Sequence, residues 1–211
     1  MPNTAKRSMP HLPELLAHPL NCSIFITDIV GYSDLRRDDH DRAVLRSTLR
    51  RILTDAFRES GLNWRRCHHH DRGDGLLTVV PPTLPTSLLI EPLLPLLGES
   101  IRQHNRSATD RLQLRSAVHV GPVILGDTGY PNASVIHAAR MVNSDELRYR
   151  LDCSGQEFAT MVSSYVYENV VRHVRGAVGA GSFQRSCYQI GNVPITSWVY
   201  VSQQAGKGGR P

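Results

Sequence analysis

The chain has 211 residues, 40% hydrophobic and 20% charged. That composition supports one sizeable core and excludes disordered, collagen-like and disulfide-stapled small-protein classes. The formal charge of +5 comes with only 6% aromatics, and acidic residues separate most of the arginines, so the basic stripe with interleaved aromatics of a nucleic-acid binder is missing.

In chain order, residues 1–19 carry four prolines and read as an arm, 20–202 as a single domain, and the Gly/Gln/Lys-rich 203–211 as a disordered tail. Cys22–Thr27 predicts a strand. Asp39–Ser60 predicts a long amphipathic helix with Val44, Leu45, Leu49, Ile52, Leu53 and Phe57 on one stripe. Asn63–His69 and Leu76–Val80 predict two strands joined at Gly73-Asp74-Gly75. Leu88–His104 predicts a second helix. The apolar run from Leu84 to Leu97 is interrupted by Pro85, Glu91, Pro92 and Pro95 and is too short to span a bilayer, so no membrane partner is expected. Leu112–Val120 and Pro122–Leu125 predict a strand pair turning at His119–Gly121. A helix at Ser134–Val142, a strand at Glu157–Val162, a helix at Ser164–His173 and a closing strand pair, Ser186–Ile190 and Thr196–Val201, complete the chain. The order βαββαβ with extra C-terminal strands is a ferredoxin-like α+β plan, expected to carry its helices on one face. Four cysteines without a CxxC pair give neither a zinc ribbon nor a disulfide framework and point to a reducing, cytoplasmic setting.

Two carboxylates stand out. Asp28 ends the first strand and Asp74 sits at the tip of the hairpin; in a βαββ order both reach one edge of the sheet. Paired carboxylates suit two hard divalent cations bound around a triphosphate, and they repel one another unless a cation neutralises them. After Asp28, Ile29 to Ser33 turns away from the strand, and Gly31 lets backbone N–H groups approach anionic oxygens.

The string Phe25-Ile26-Thr27-Asp28-Ile29-Val30-Gly31-Tyr32-Ser33, followed by Arg72-Gly73-Asp74-Gly75, resembles the class III nucleotidyl cyclase domain of adenylyl and guanylyl cyclases. Val118-His119-Val120-Gly121-Pro122-Val123 and Ala138-Ala139-Arg140-Met141 resemble later motifs of the same family, in the same order. The resemblance implies that Asp28, Asp74 and the Ile29 carbonyl hold two Mg²⁺ or Mn²⁺ ions per site. It implies that the backbone of Ile29, Val30, Gly31 and Tyr32 holds the β- and γ-phosphates of a nucleoside triphosphate, and that Arg140 meets charge on the α-phosphoryl group. It also implies a homodimer, with carboxylates from one subunit and arginine from the other.

The sequence departs from the purine-reading pattern. His70 stands at the first base-reading position, Ala133 at the second, and Ile136 where an Asn would orient the ribose. Tyr32, His70, Asn132, Ser134 and His137 are the candidates to contact a base. Chains lacking the purine-reading pair resemble the stand-alone pyrimidine cyclases of bacterial Pycsar antiphage systems. That likeness implies UTP or CTP as substrate, and a separately encoded effector that senses cyclic UMP or cyclic CMP. The competing reading is a catalytically degenerate module that binds nucleotide or regulates. Cys67-His68-His69-His70-Asp71 reads as a packed or solvated strand because alternation sends successive side chains to opposite faces. Trp64 and Trp198 read as core or interface aromatics, Arg72 as an ion-pair partner or a phosphate contact, and Asp127 in Gly126–Gly129 as a turn residue.

Overall fold

The computed structural model describes residues 18–124 and 132–203. Most of the N-terminal arm, nearly all of the C-terminal tail and Asp127 lie outside them. One seven-stranded sheet has the order β2-β3-β1-β4-β5-β7-β6. Its strands are β1 (Leu20–Ile29), β2 (His68–Asp71), β3 (Gly75–Val80), β4 (Leu114–Val123), β5 (Phe158–Ser163), β6 (Phe183–Ile190) and β7 (Val193–Val201). β1 lies antiparallel between β3 and β4, β5 joins β4 in parallel, and β7 and β6 extend the sheet antiparallel. The first four strands have ferredoxin-like pairing, and the C-terminal strands widen it as expected.

α1 (Asp39–Glu59) starts in a capping box: the Asp41 N–H donates to Asp38 Oδ1 at 2.8 Å and the Asp38 N–H to Asp41 Oδ2 at 3.0 Å. Its buried stripe is Leu45, Leu49, Ile52, Leu53, Ala56 and Phe57, while Val44 falls outside it, 41% exposed. The stripe packs against α3 (Leu93–Asn105) over one face of the sheet, with Phe25 and Ile29 of β1 beneath. Each large side chain fully buried there contributes about 1.5–3 kcal/mol.

The second face is also covered, which corrects the one-sided expectation. α4 (Ala133–Val142) and α5 (Asp145–Ser154) lay Val135, Ala138, Met141, Leu147 and Leu151 over Cys22, Ile24 and Ile26. α5 was not predicted, because its charged sequence DELRYRLDCS buries only two residues; the Ser144 N-cap and left-handed Gly155 at its end are its local signals.

Other boundaries differ for identifiable reasons. Trp64–Arg66 is a 3₁₀ turn capped by Asn63, not the start of β2. The predicted second helix is divided into α2 (Ser87–Ile90) and α3 at Glu91-Pro92, where proline has no N–H to continue the ladder. The expected turn at His119–Gly121 is absent: β4 runs through it because all ten of its residues pair with β1. Gly121 serves close packing there, since a Cβ would stand 2.4 Å from Ser134 Oγ. The helix predicted to reach His173 ends early, as α6 (Ser164–Asn169) followed by a 3₁₀ turn. All four cysteines are free, and no helix of the described residues is long and apolar enough to cross a membrane.

Candidate active site

Asp28 and Asp74 meet at one end of the sheet. Asp28 pairs with Gly75 across the β1–β3 ladder, and the Ile29 N–H donates to the Asp74 carbonyl at 2.7 Å. The hairpin tip is shaped by Asp71, whose Oδ1 accepts the Gly73 N–H at 2.8 Å, and by Gly73 in a left-handed conformation at φ +87°. Asp71 also pairs with Arg46 of α1, so the hairpin is tied to the helix beside it. The partner expected for Arg72 is not seen: among the described residues its side chain makes no hydrogen bond or ion pair, and Arg46 takes the role instead.

Asp28 is 7% exposed, and burial holds its carboxyl above the ordinary carboxylate range, with the Asp74 carboxyl adding to the effect and Arg115 opposing it. Arg115 stands directly across from Asp28 on β4, and its Nη2 donates to Asp28 Oδ2. Sequence reasoning missed this residue and assumed that only a bound cation could offset the acidic pair. The available signal was an arginine inside a strand otherwise reading Leu112, Leu114, Ala117 and Val118. The remaining donors still fit a hard divalent cation. Arg115 meets Asp28 at Oδ2, the Asp74 carboxyl is within reach of the Asp28 carboxyl, and all the ligands on offer are oxygens. No group of three or more His, Cys, Asp or Glu side chains suited to a metal occurs among the described residues, so the remaining ligands would come from backbone, substrate and water.

The turn after Asp28, expected to hold phosphate, has fewer free amides than its sequence implies. The Ile29 and Val30 N–H groups are engaged with Asp74 and Gln113 carbonyls, and the Tyr32 N–H makes a long 3.4 Å bond to Ile29. Among the described residues the Gly31 N–H donates to no backbone carbonyl, and the residue sits at a φ of +66° that favours glycine. Arg37 curls back over this turn, its Nη1 donating to the Gly31 carbonyl at 2.8 Å.

Arg140 lies on the outward side of α4, on the same sheet face as Asp28. Among the described residues it makes no hydrogen bond or ion pair, and none links it to either carboxylate. Asn132 is spent on the backbone: its Nδ2 donates to the Ile124 carbonyl at 2.7 Å and its Oδ1 accepts the Ile124 N–H at 3.0 Å. His70 is exposed on the edge strand β2, and Ala133 and Ile136 are exposed on α4. The histidine run alternates as expected. His69 stacks under Trp64 with ring centroids 3.7 Å apart and is hydrogen-bonded at both ring nitrogens. Trp64 packs edge-on to Phe57, and Trp198 stacks on Tyr167.

His137 belongs to a part-buried polar cluster behind Arg140. Its Nε2 hydrogen-bonds to Tyr188 Oη at 3.1 Å, and its ring lies 4.6 Å from that of His119, whose Nδ1 meets Ser163 Oγ at 3.0 Å. Burial, with His137 adding, pushes His119 down to about 4, and burial pushes the Tyr188 phenol up to about 12. A histidine depressed in the folded state favours proton uptake on unfolding. Stability from this source is therefore complete above pH ~6.5 and is lost as pH falls toward 4. Urea denaturation at intervals between pH 7 and 4 should show that decline, and His119→Gln should flatten it; an unchanged slope would contradict the assignment.

No protein-family model matches the sequence, and no curated protein does. Solved structures do. The guanylyl cyclase Cya2 is similar at TM-score 0.64 with 14% identity, over 90% of this chain and 96% of that one. An adenylate/guanylate cyclase/hydrolase from Silicibacter pomeroyi is similar at 0.64 and 21%, over 89% and 100%. The guanylate cyclase domain of RhGC from Catenaria anguillulae, in complex with GTP, is similar at 0.58 and 14%, over 88% and 98%. At these identities the likeness establishes the fold: the chain has the architecture of adenylyl and guanylyl cyclase domains.

Proposed function

We propose that the protein is a nucleotidyl cyclase converting a nucleoside triphosphate to a 3′,5′-cyclic nucleotide and pyrophosphate. The observation that carries this reading is the meeting of Asp28 and Asp74 at one sheet end, where β1 runs into the Gly31 turn. In the reaction the ribose 3′ oxygen bonds to the α-phosphorus, the α–β bridging oxygen leaves with pyrophosphate, and the hydroxyl proton is released. Asp28, Asp74 and the Ile29 carbonyl would hold Mg²⁺ or Mn²⁺, two per site, which when bound neutralise the triphosphate and favour ionisation of the hydroxyl. The Gly31 N–H and the basic side chain of Arg37 suit the terminal phosphates. Arg140, exposed and without an ion-pair partner among the described residues, suits the α-phosphoryl charge of a site completed by a second copy of the chain, which supports a homodimer.

Ala133 and Ile136 offer no hydrogen bonds to a purine or its ribose, and this supports a pyrimidine substrate, UTP or CTP. A cytoplasmic enzyme whose product is sensed by a separately encoded antiphage effector is the corresponding biological setting. His70, exposed on β2, is the stronger base-contact candidate; Asn132 is already engaged.

Incubation of the purified protein with each of the four ribonucleoside triphosphates and Mn²⁺, with cyclic products identified by mass spectrometry, tests the reading. Cyclic UMP or cyclic CMP is expected. Arg140→Ala should lower turnover roughly 10²–10³-fold, as loss of a charge-stabilising donor does, with little change in melting temperature because the exposed side chain makes no hydrogen bond or ion pair among the described residues. Nucleotide binding without any cyclic product would replace the enzyme with the degenerate module.

A further inference from the structure

Arg115 is 8% exposed, and arginines are seldom so buried without full pairing. One of its nitrogens meets Asp28, yet its Nε is buried with no hydrogen-bond partner among the described residues. Its placement therefore serves the carboxylate more than its own donors. A guanidinium stays charged at any working pH, and the register of β1 against β4 sets it opposite Asp28. It cancels one negative charge of a pair that carries two when both carboxylates are ionised.

A divalent cation at the Asp28–Asp74 edge needs the same charge and approaches the same carboxylate. We propose that Arg115 is a built-in counter-ion that competes with the divalent cation for Asp28. It holds the acidic edge together while the cation is away and keeps cation affinity low in the nucleotide-free protein. The inference rests on the reading of Asp28 and Asp74 as the cation ligands. The positive charge within the ion pair does the competing, so lysine should substitute for arginine and glutamine should not.

The test is titration of Mn²⁺ alone into the full-length, nucleotide-free protein, with free Mn²⁺ followed by electron paramagnetic resonance. Arg115→Gln should bind Mn²⁺ roughly ten- to a hundredfold more tightly than the wild type, and Arg115→Lys within about threefold of it. Arg115→Gln should also melt lower in EDTA and gain more from Mn²⁺ than the wild type does. Equal or weaker binding by the glutamine variant overturns the counter-ion, while Mn²⁺ binding lost in Asp74→Ala keeps the ligand assignment standing. Absence of binding in every variant overturns both. Should the glutamine variant not fold, the wild type decides. The Arg115 Nε–H resonance should shift as Mg²⁺ is added, and an unmoved resonance at Mg²⁺ saturation overturns the proposal.

Discussion

Asp74→Ala is expected to lower nucleotide cyclisation about a thousandfold, equivalent to ~4 kcal/mol at 1.4 kcal/mol per tenfold. The melting temperature should hold or rise slightly. Activity falls because the remaining carboxylate, Asp28, is shared with Arg115 and cannot by itself replace a two-carboxylate edge. Stability holds because Asp74 contributes to the fold through its backbone carbonyl, which accepts the Ile29 N–H and survives the substitution. Removing its carboxylate also relieves the like charge that raises the Asp28 pKa. Steady-state kinetics with Mn²⁺ and scanning calorimetry on the same preparation check both halves. Turnover within tenfold of the wild type would remove Asp74 from the reaction.

Gly75→Ala should damage fold and site together. A Cβ at this position would stand 1.9 Å from the Thr27 carbonyl oxygen, 2.7 Å from its carbon and 3.0 Å from the Asp28 Cα. These are backbone atoms of the neighbouring strand, so no side chain can swing aside. β3 would have to move off β1 at the rung that pairs Gly75 with Asp28. The cost should reach or exceed the upper end of ordinary overpacking, about 3 kcal/mol. At 2–4 °C per kcal/mol for a domain of this size, that is a fall of roughly 6–12 °C in melting temperature. Mn²⁺ binding should weaken with it, because the same shift draws Asp74 away from Asp28. The contrast with Asp74→Ala separates the two causes: one variant loses chemistry with its fold intact, the other loses both. A Gly75→Ala protein that melts like the wild type would show that the hairpin adjusts and that the close approach is not required.

Much of this was legible in the sequence because it rests on local rules. Strand alternation, the stripe along α1 and the turn glycines give the βαββαβ order; the DIVGYS and RGDG strings place one carboxylate at a strand end and the other at a hairpin tip. The less visible parts depend on partners distant in the chain. α5 is rich in charged residues and settles on the sheet because Leu147 and Leu151 find the core over β5 and β7. β4 continues through His119–Gly121 because β1 is long enough to pair all of it, a fact no window around Gly121 contains. Arg115 is 87 residues from Asp28 and becomes its partner only once antiparallel register is fixed. Tertiary pairing likewise spends the Ile29 and Val30 amides that the turn by itself offered to phosphate.

The composition is that of one mid-sized domain with more basic than acidic residues, nearly all of the basic ones arginine. From the sequence alone followed the fold class, the two carboxylates and the glycine turn, because periodicity and turn chemistry are written residue by residue. Only the tertiary structure decided where the positive charge goes: Arg46 to Asp71, Arg37 over the Gly31 turn and Arg115 to Asp28. Ion pairing depends on distance through space, and that distance exists only when the strands have met.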